Sequence, residues 1–412
     1  MDVEDKIYAF NDPSGFKQLA YKKIENKILL GSQPELFKHA LTLKPTKLKQ
    51  EWEVMCEKRF QNRGRPSGSN YLPAGITVYE ETLTLMPNNY LDVSNLSQIR
   101  FWPRKPLGNL DVNKAAEIIS DVLKKEIESI SNRYNISISL SGGLDSRIIL
   151  AASALVDKNI KAFTWNQPWT PDSDKNLPKK LCEMASIPHS SHILDKNDID
   201  YNSTSYNNFK SAYLVNSDQI NHKLIEQSYL KYLHSDDSYV SINGHAPGVY
   251  KCHYWNSGVH PKKIKSADLM KKEKEWLYTP SIKPLFEKWI FDLKAFNISK
   301  YHVKILDLLY WEHRSGGWQG NNKLLSNMTG TIFSPFSNRV ILETALSVKP
   351  SKRKKPENIL NKEILNHLMP ELNSDKVKPD SDKNLSRARF KTVLAKTKLL
   401  PVYRFVRTKL QR

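Results

Sequence analysis

The sequence predicts an α/β protein, with a parallel sheet flanked by helices and a smaller β-rich region in front of it. Three observations lead there. From residue 111 onward, apolar residues recur first at helical and then at strand spacing. A glycine turn, Ser141-Gly142-Gly143, joins one such strand to the next helix. The first hundred residues instead carry short apolar runs between Pro, Gly, Asn and Asp. Alternating strands and helices make parallel sheets, because each crossover must carry the chain back to the same end of the sheet.

Taken in order, Lys6–Phe10, Lys27–Leu30 and Gly75–Val78 read as strands, with a helix around Lys47–Phe60. The stretch Phe101–Leu110, FWPRKPLGNL, has two prolines and a glycine and reads as a linker. It divides residues 1–103 from a second domain, 104–382. From Asp111 to Tyr134, Ala115, Ile118, Ile119, Val122, Leu123, Ile127 and Ile130 recur at helical spacing with charges between them. A β-branched run, Ile136–Leu140, is followed by the glycine turn and an apolar helix through Leu155. The next strand is Ile160–Trp165, after a crossover of suitable length.

At 412 residues the chain exceeds one ordinary core. Hydrophobic residues make up 39%, the balance of a globular protein. The longest apolar run, Ile148 to Val156, is half of the ~20 residues a membrane helix needs, and the N-terminus lacks a signal-peptide pattern, so a cytoplasmic protein is expected. Three scattered cysteines make no disulfide framework. Lysine and arginine number 63 against 43 acidic residues, which points to an anionic partner. Over half of the +20 excess lies after residue 350, and no acidic residue follows Asp382. Residues 383–412 form a basic tail in which Phe390, Val393, Leu394, Leu399, Leu400, Val402, Phe405, Val406 and Leu410 alternate with cations. This pattern suits a helix on the inner membrane surface, divided at Pro401, or one packed on the preceding domain.

The sharpest motif is SGGLDS, Ser141 to Ser146, between a strand and a helix. Gly142 and Gly143 let backbone N–H groups approach a phosphate, and the helix N-terminus adds a favourable dipole. Ser141 and Ser146 supply hydroxyl donors, and Asp145 can hold a magnesium ion against a pyrophosphate group. A Gly-Gly turn with a serine cap and no ligand has the same local composition. No Gly-Lys-Ser/Thr follows, so the loop is not of the Walker type.

SGGLDS resembles the pyrophosphate loop of the ATP pyrophosphatases, which cleave ATP between the α and β phosphates. Three further segments resemble asparagine synthetase, in that family's order. Tyr8 to Leu36 is similar to the late strands of its glutaminase domain. SINGHAPGVY, Ser241 to Tyr250, sits where the family has S-G-E-G-x-D-E, and IFSPFSNRVILETAL, Ile332 to Leu346, resembles its R-x-P-F-L-D segment. Asn361 to Leu365 then matches E-K-x-I-L, with Lys378 beyond it. The resemblance implies a Rossmann-like synthetase domain behind a truncated glutaminase-like one. It implies an adenine site at Leu140, Thr164 and Trp165, with Asn243 and Gly244 opposite, and a lysine, Lys378, facing the pyrophosphate. Trp165 read by itself is more often a core aromatic than a base-stacking platform.

The departures matter as much. The family's glutaminase domain begins with a cysteine exposed after methionine removal, whereas Asp2 follows Met1 here, and Cys56 lies in a charged helical stretch. No glutamine hydrolysis is expected, so nitrogen would arrive as ammonia, as an amine, or from a separate glutaminase. The family's acidic positions after Gly244 read His245, Gly248 and Val249, which removes a magnesium ligand; His245 is a candidate general base. His245, Cys252, His253 and His260 fit no usual zinc spacing. Thr331, Ser337 and Asn338 replace further family residues, so the acid should not be bound as aspartate is, and Arg314–Trp318 is read as an aromatic loop bordering its pocket. Asp174 aligns with an acidic residue after the second strand and is expected to cap the next helix.

The expected activity is therefore an ATP- and Mg2+-dependent amide ligase acting on a small-molecule, glycan or peptide carboxylate. A non-catalytic ATP-binding relative is the alternative, and a tRNA-modifying ATP pyrophosphatase a further one. The lack of paired cysteines argues against the last, and no nucleic-acid partner is expected.

Overall fold

The computed structural model describes residues 2–3, 6–25, 27–63, 71–156, 159–167, 170–215, 222–257, 259–374 and 377. The basic tail and Lys378 lie outside them. The N-terminal region contains β1 (Asp2–Val3), β2 (Lys6–Ala9), β3 (Ala20–Ile24), β4 (Lys27–Gly31), helix α1 (Leu48–Arg63), β5 (Thr82–Thr84), β6 (Asn89–Asp92) and β7 (Ser97–Arg100). They form two antiparallel sheets, ordered β1-β2-β6-β7 and β4-β3-β5. The strand expected at Gly75–Val78 is a turn instead. Gly75 has φ +67°, its carbonyl accepts the Thr84 N–H at 2.7 Å, and Ile76 makes only a single bridge to Leu83.

The α/β region opens with α2 (Val112–Ser131), whose first turn is capped by the Asp111 carboxylate, which accepts the Asn113 N–H at 2.8 Å. Then follow β8 (Asn135–Ser139), α3 (Leu144–Ala154), β9 (Ile160–Asn166), α4 (Asp172–Met184), β10 (His189–Ile193), α5 (Thr204–Val215), α6 (His222–Leu233) and β11 (Tyr239–Ile242). A helical stretch carries α7 (Ser266–Met270), α8 (Lys283–Ala295), α9 (Ile305–Leu309) and α10 (Gly320–Ser326) to β12 (Ile332–Phe333), and α11 (Arg339–Leu346), α12 (Pro350–Arg353) and α13 (Ile359–Leu368) follow.

The five strands pair in parallel in the order β10-β9-β8-β11-β12. The chain moves outward from β8 through β9 to β10, then returns to β11 on the other side of β8. Right-handed crossovers place α3 and α4 on one face and α5 and α6 on the other. The reversal between β8 and β11 is a topological switch point, where the carboxyl ends of the strands diverge and leave a crevice. Ile136 and Ile138 of β8 are fully buried in the main core, which also takes Phe16, Trp52, Met55 and Tyr71 from the N-terminal region. Among the described residues, no helix is long and apolar enough to cross a membrane.

Arg314–Trp318, expected as a loop, is part of a wide helical winding, Tyr310–Gln319. Its glycines suggested a loop but serve close packing: a Cβ on Gly316 would meet Pro87 Cδ at 2.5 Å, and one on Gly317 would meet Tyr71 Cδ2 at 2.7 Å. On the same winding, Glu312 is buried among cationic and neutral donors. It accepts Arg100 through both terminal guanidinium nitrogens, one at 2.7 Å, with Trp289 Nε1 at 2.8 Å and Asn88 Nδ2 at 3.1 Å. Burial alone would raise its pKa, but the Arg100 guanidinium outweighs this and holds it below the ordinary carboxylate value.

Glu312→Gln should therefore lower unfolding free energy by about 3–5 kcal/mol at pH 7, because Arg100 is left as an uncompensated buried charge. Since the native carboxylate titrates lower than the unfolded one, its stabilisation is complete at neutral pH and disappears as pH falls through the native value. Urea titrations of both forms from pH 7 to pH 3 should show the gap narrowing with acid; a constant gap would contradict this account.

Candidate functional site at the sheet switch point

Leu140 leaves β8 buried, its N–H donating to the Phe163 carbonyl at 2.9 Å. The chain then turns through Ser141–Gly143 into α3. The loop is knit by its own groups. The Ser141 and Ser146 hydroxyls lie 3.0 Å apart, the Ser141 N–H donates to Ser146 Oγ at 3.2 Å, and the Gly143 N–H donates to Ser141 Oγ at 3.3 Å. The Gly142 N–H donates to Asp174 Oδ1 at 2.6 Å. Asp174 thus spends its carboxylate on the loop; the residue at the cap position of α4 is Pro171, with no side-chain cap. Gly143 likewise gives α3 no side-chain cap, so the dipole-positive first turn faces the loop.

Arg147, fully buried, fixes the loop from behind. Its guanidinium donates to the carbonyls of Gly142 at 3.0 Å, Leu372 at 2.9 Å and Val377 at 2.7 Å. Leu372 and Val377 are thereby held beside the loop.

From the other side of the switch point comes the turn after β11. A Cβ on Gly244 would lie 2.5 Å from the Asp145 carbonyl carbon and 2.6 Å from Ser146 N, so this glycine lets the two loops touch backbone to backbone. Asn243 Oδ1 accepts Ser334 Oγ at 2.8 Å and the His245 N–H at 3.2 Å, which orders the turn. Trp165 and Thr164, paired in the sequence reading, point to opposite faces of β9. Thr164 is buried, donating to Leu140 O at 3.0 Å with His189 Nε2 also at 3.0 Å, while Trp165 lines a cavity.

Two cavities meet here. One, of about 420 Å3, runs under the sheet face past Trp165, Asn243, Lys231 and Lys323; the other, of about 330 Å3, is bordered by Asp145, Lys251, His253, Tyr310 and Lys355. His245 borders both. Solvent reaches its ring through the cavities, while the protein around it and the ammonium groups of Lys323 and Lys231 hold its pKa well below the ordinary value. This environment favours the neutral imidazole. His253 is pushed down to about 4 by burial and by Arg314.

Asp145 does not stand alone. Its Oδ1 accepts the Lys251 ammonium and Asn361 Nδ2, the latter at 2.8 Å. Burial lowers the pKa of Lys251, and the Asp145 carboxylate opposes that shift. Mg2+ takes one or two carboxylates and completes its shell with substrate phosphates and water. Oδ1 of Asp145 is shared with Lys251 and Asn361, and no group of three His, Cys, Asp or Glu poised for a metal occurs among the described residues. Asp145 therefore suits the role of one ligand to a magnesium ion carried on phosphates, not an all-protein metal cage. Lys251, Asn361, Arg147 and Asp174's true role escaped the sequence reading, although Arg147 directly follows the motif and Asn361 opens the matched NKEIL segment.

The fold and site define an α/β protein with a glycine-serine loop at the switch point of a parallel sheet. No protein-family model and no curated protein matches the chain. Among solved structures it is similar to NMN synthetase from Francisella tularensis, at 13% identity and TM-score 0.25 over 42% of this chain and 74% of that one. It is also similar to the NH3-dependent NAD synthetase of Campylobacter jejuni, in complex with nitrate (14%, TM-score 0.23, 35% and 61%). A third is the glutamine-dependent NAD+ synthetase of Acinetobacter baumannii in complex with ADP (10%, TM-score 0.23, 49% and 42%).

Gly244→Ala should separate the two loops, because backbone rather than a flexible side chain meets the new methyl group. A loss of about 1–3 kcal/mol in stability is expected. Thermal unfolding of the variant checks it, and an unchanged Tm would show that the loops do not pack as described.

Proposed function

We propose that this chain is an ATP-dependent carbon–nitrogen ligase of the asparagine synthetase type, which adenylates a carboxylate and passes the acyl group to ammonia or an amine. The observation that carries the reading is the Ser141–Ser146 loop, held at the switch point against Gly244, with Asp145 bordering the smaller of two cavities joined at His245. Loop N–H and hydroxyl groups, with the first turn of α3, would take the phosphate oxygens. The adenine would lie by Leu140 and Trp165, with Asn243 and Gly244 opposite.

In the first step a carboxylate oxygen of the acid attacks the α-phosphorus and pyrophosphate leaves. Lys251 and Lys355 border the second cavity beside Asp145, so positive charge stands where the leaving group gathers negative charge. Lys378, which lies outside the described residues, is given the same task by the sequence resemblance alone. In the second step the nitrogen attacks the acyl carbon and AMP departs. His245, neutral and on the border of both cavities, takes the proton the nitrogen loses. Magnesium would be carried on the nucleotide phosphates, with Asp145 as its protein ligand.

The pairing of Asp145 with Lys251 favours a second reading, an ATP-binding relative without catalysis. The two part in one experiment. With a panel of carboxylic acids, the ligase should exchange labelled pyrophosphate into ATP, and Asp145→Ala should abolish the exchange. His245→Ala should spare exchange yet slow amide formation about 10²–10⁴-fold. ATP binding without exchange for any acid would decide for the non-catalytic relative, and no ATP binding at all would sink both.

A further inference from the structure

The face of the parallel sheet beneath α5 and α6 is polar where an ordinary doubly wound sheet is apolar. Ser137 and Ser139 of β8, Lys161 of β9, His192 of β10 and Ser241 of β11 all line the larger cavity. Meanwhile α5 and α6 close a separate apolar cluster around Phe209, Tyr213, Ile225 and Tyr229, and so leave the sheet face open. The crevice extends from Lys161 to Trp165, about 13 Å at roughly 3.3 Å per residue.

Its charge is one-sided. Three lysines, Lys161, Lys231 and Lys323, line it against one carboxylate, Asp236, and that carboxylate is committed to Lys161 Nζ at 2.8 Å and to Ser238. Lys323 is only 4% exposed, and neither it nor Lys231 has a hydrogen-bond or ion-pair partner among the described residues. The Phe16 ring, 5.5 Å from Lys323 Nζ, is a weak substitute. Burial, with Lys17 adding to it, pushes Lys323 down to about 7; burial pushes Lys231 to about 8. An unpaired buried ammonium costs stability, and an anion in the cavity removes that cost. Beyond Trp165, which the adenine would take, stands a second ring platform: His192 lies 5.1 Å from His234, and both line the crevice beside the lysines.

We infer that this crevice holds the far end of the acid that the enzyme activates, a ring-bearing molecule with a second anionic group, carboxylate or phosphate, seated on Lys231 and Lys323. This rests on the ligase reading above. The crevice opens at Asn243 and His245 toward the nucleotide loop, so an acid lying in it points its reacting end at that loop. The nucleotide's own phosphates are served by Ser141–Ser146 and leave these lysines unclaimed.

Calorimetric titration of the full chain with terephthalate, phenyl phosphate and the neutral terephthalamide tests the inference without ATP. At least one anion should bind about tenfold more tightly than the diamide, and the stronger of the two identifies the group. Lys323→Met and Lys231→Met should each weaken that anion about tenfold or more. Lys323→Met should also raise the Tm of the protein alone, whereas a lysine kept for structure would lower it on removal. Equal affinity for the diamide, or unchanged anion affinity in both variants, would overturn the inference. Because these titrations need no nucleotide, they can fail while pyrophosphate exchange succeeds, or the reverse, and the two readings are tested apart.

Discussion

A guanidinium with no access to water must be given acceptors, and Arg147 sets the terms on which the rest of the site is built. Its three carbonyl partners come from Gly142 in the loop and from Leu372 and Val377, over two hundred residues further on. A buried cation with unfilled donors costs several kcal/mol, so the loop and the late chain are held together as one condition of folding. Loop geometry therefore depends on a residue that faces away from any ligand. The face toward the ligand is set by contact instead, with Gly244 admitting the β11 turn to van der Waals distance of Asp145 and Ser146.

Charge gives the site its second constraint. Lysines and neutral histidines surround Asp145 and His245, and carboxylates are scarce. Lys251 and Asn361 both meet Oδ1 of Asp145. Such a lining favours anions over cations, and on the proposed reading lysines would meet the charge of phosphates and of a leaving pyrophosphate.

The N-terminal region is bound into this arrangement by both apolar and ionic contacts. Phe16, Trp52 and Tyr71 enter the main core, while Arg100 and Asn88 meet Glu312 on the widened helix that also carries Tyr310 and Gln319 to the second cavity. Positioning of that cavity wall thus depends on a region that contributes none of the cavity's lining residues.

Period and punctuation were legible in the chain itself. The helical spacing from Ala115 to Ile130, the β-branched run before Ser141 and the six-residue loop each depend on neighbours a few residues away, and α2, β8 and the loop fall where that spacing puts them. Fold class followed, because alternating elements admit few arrangements. Other features needed the tertiary structure. Asp174 looked like a helix cap and instead reaches the Gly142 N–H; Gly316 and Gly317 looked like a loop and are helical, since their missing side chains admit Pro87 and Tyr71. The partnership of Asp145 with Lys251 and Asn361, and the loneliness of Lys323 in its crevice, are distances between residues far apart in sequence. Local pattern carries no information on such distances, and only the packing of the sheet against its helices decides them.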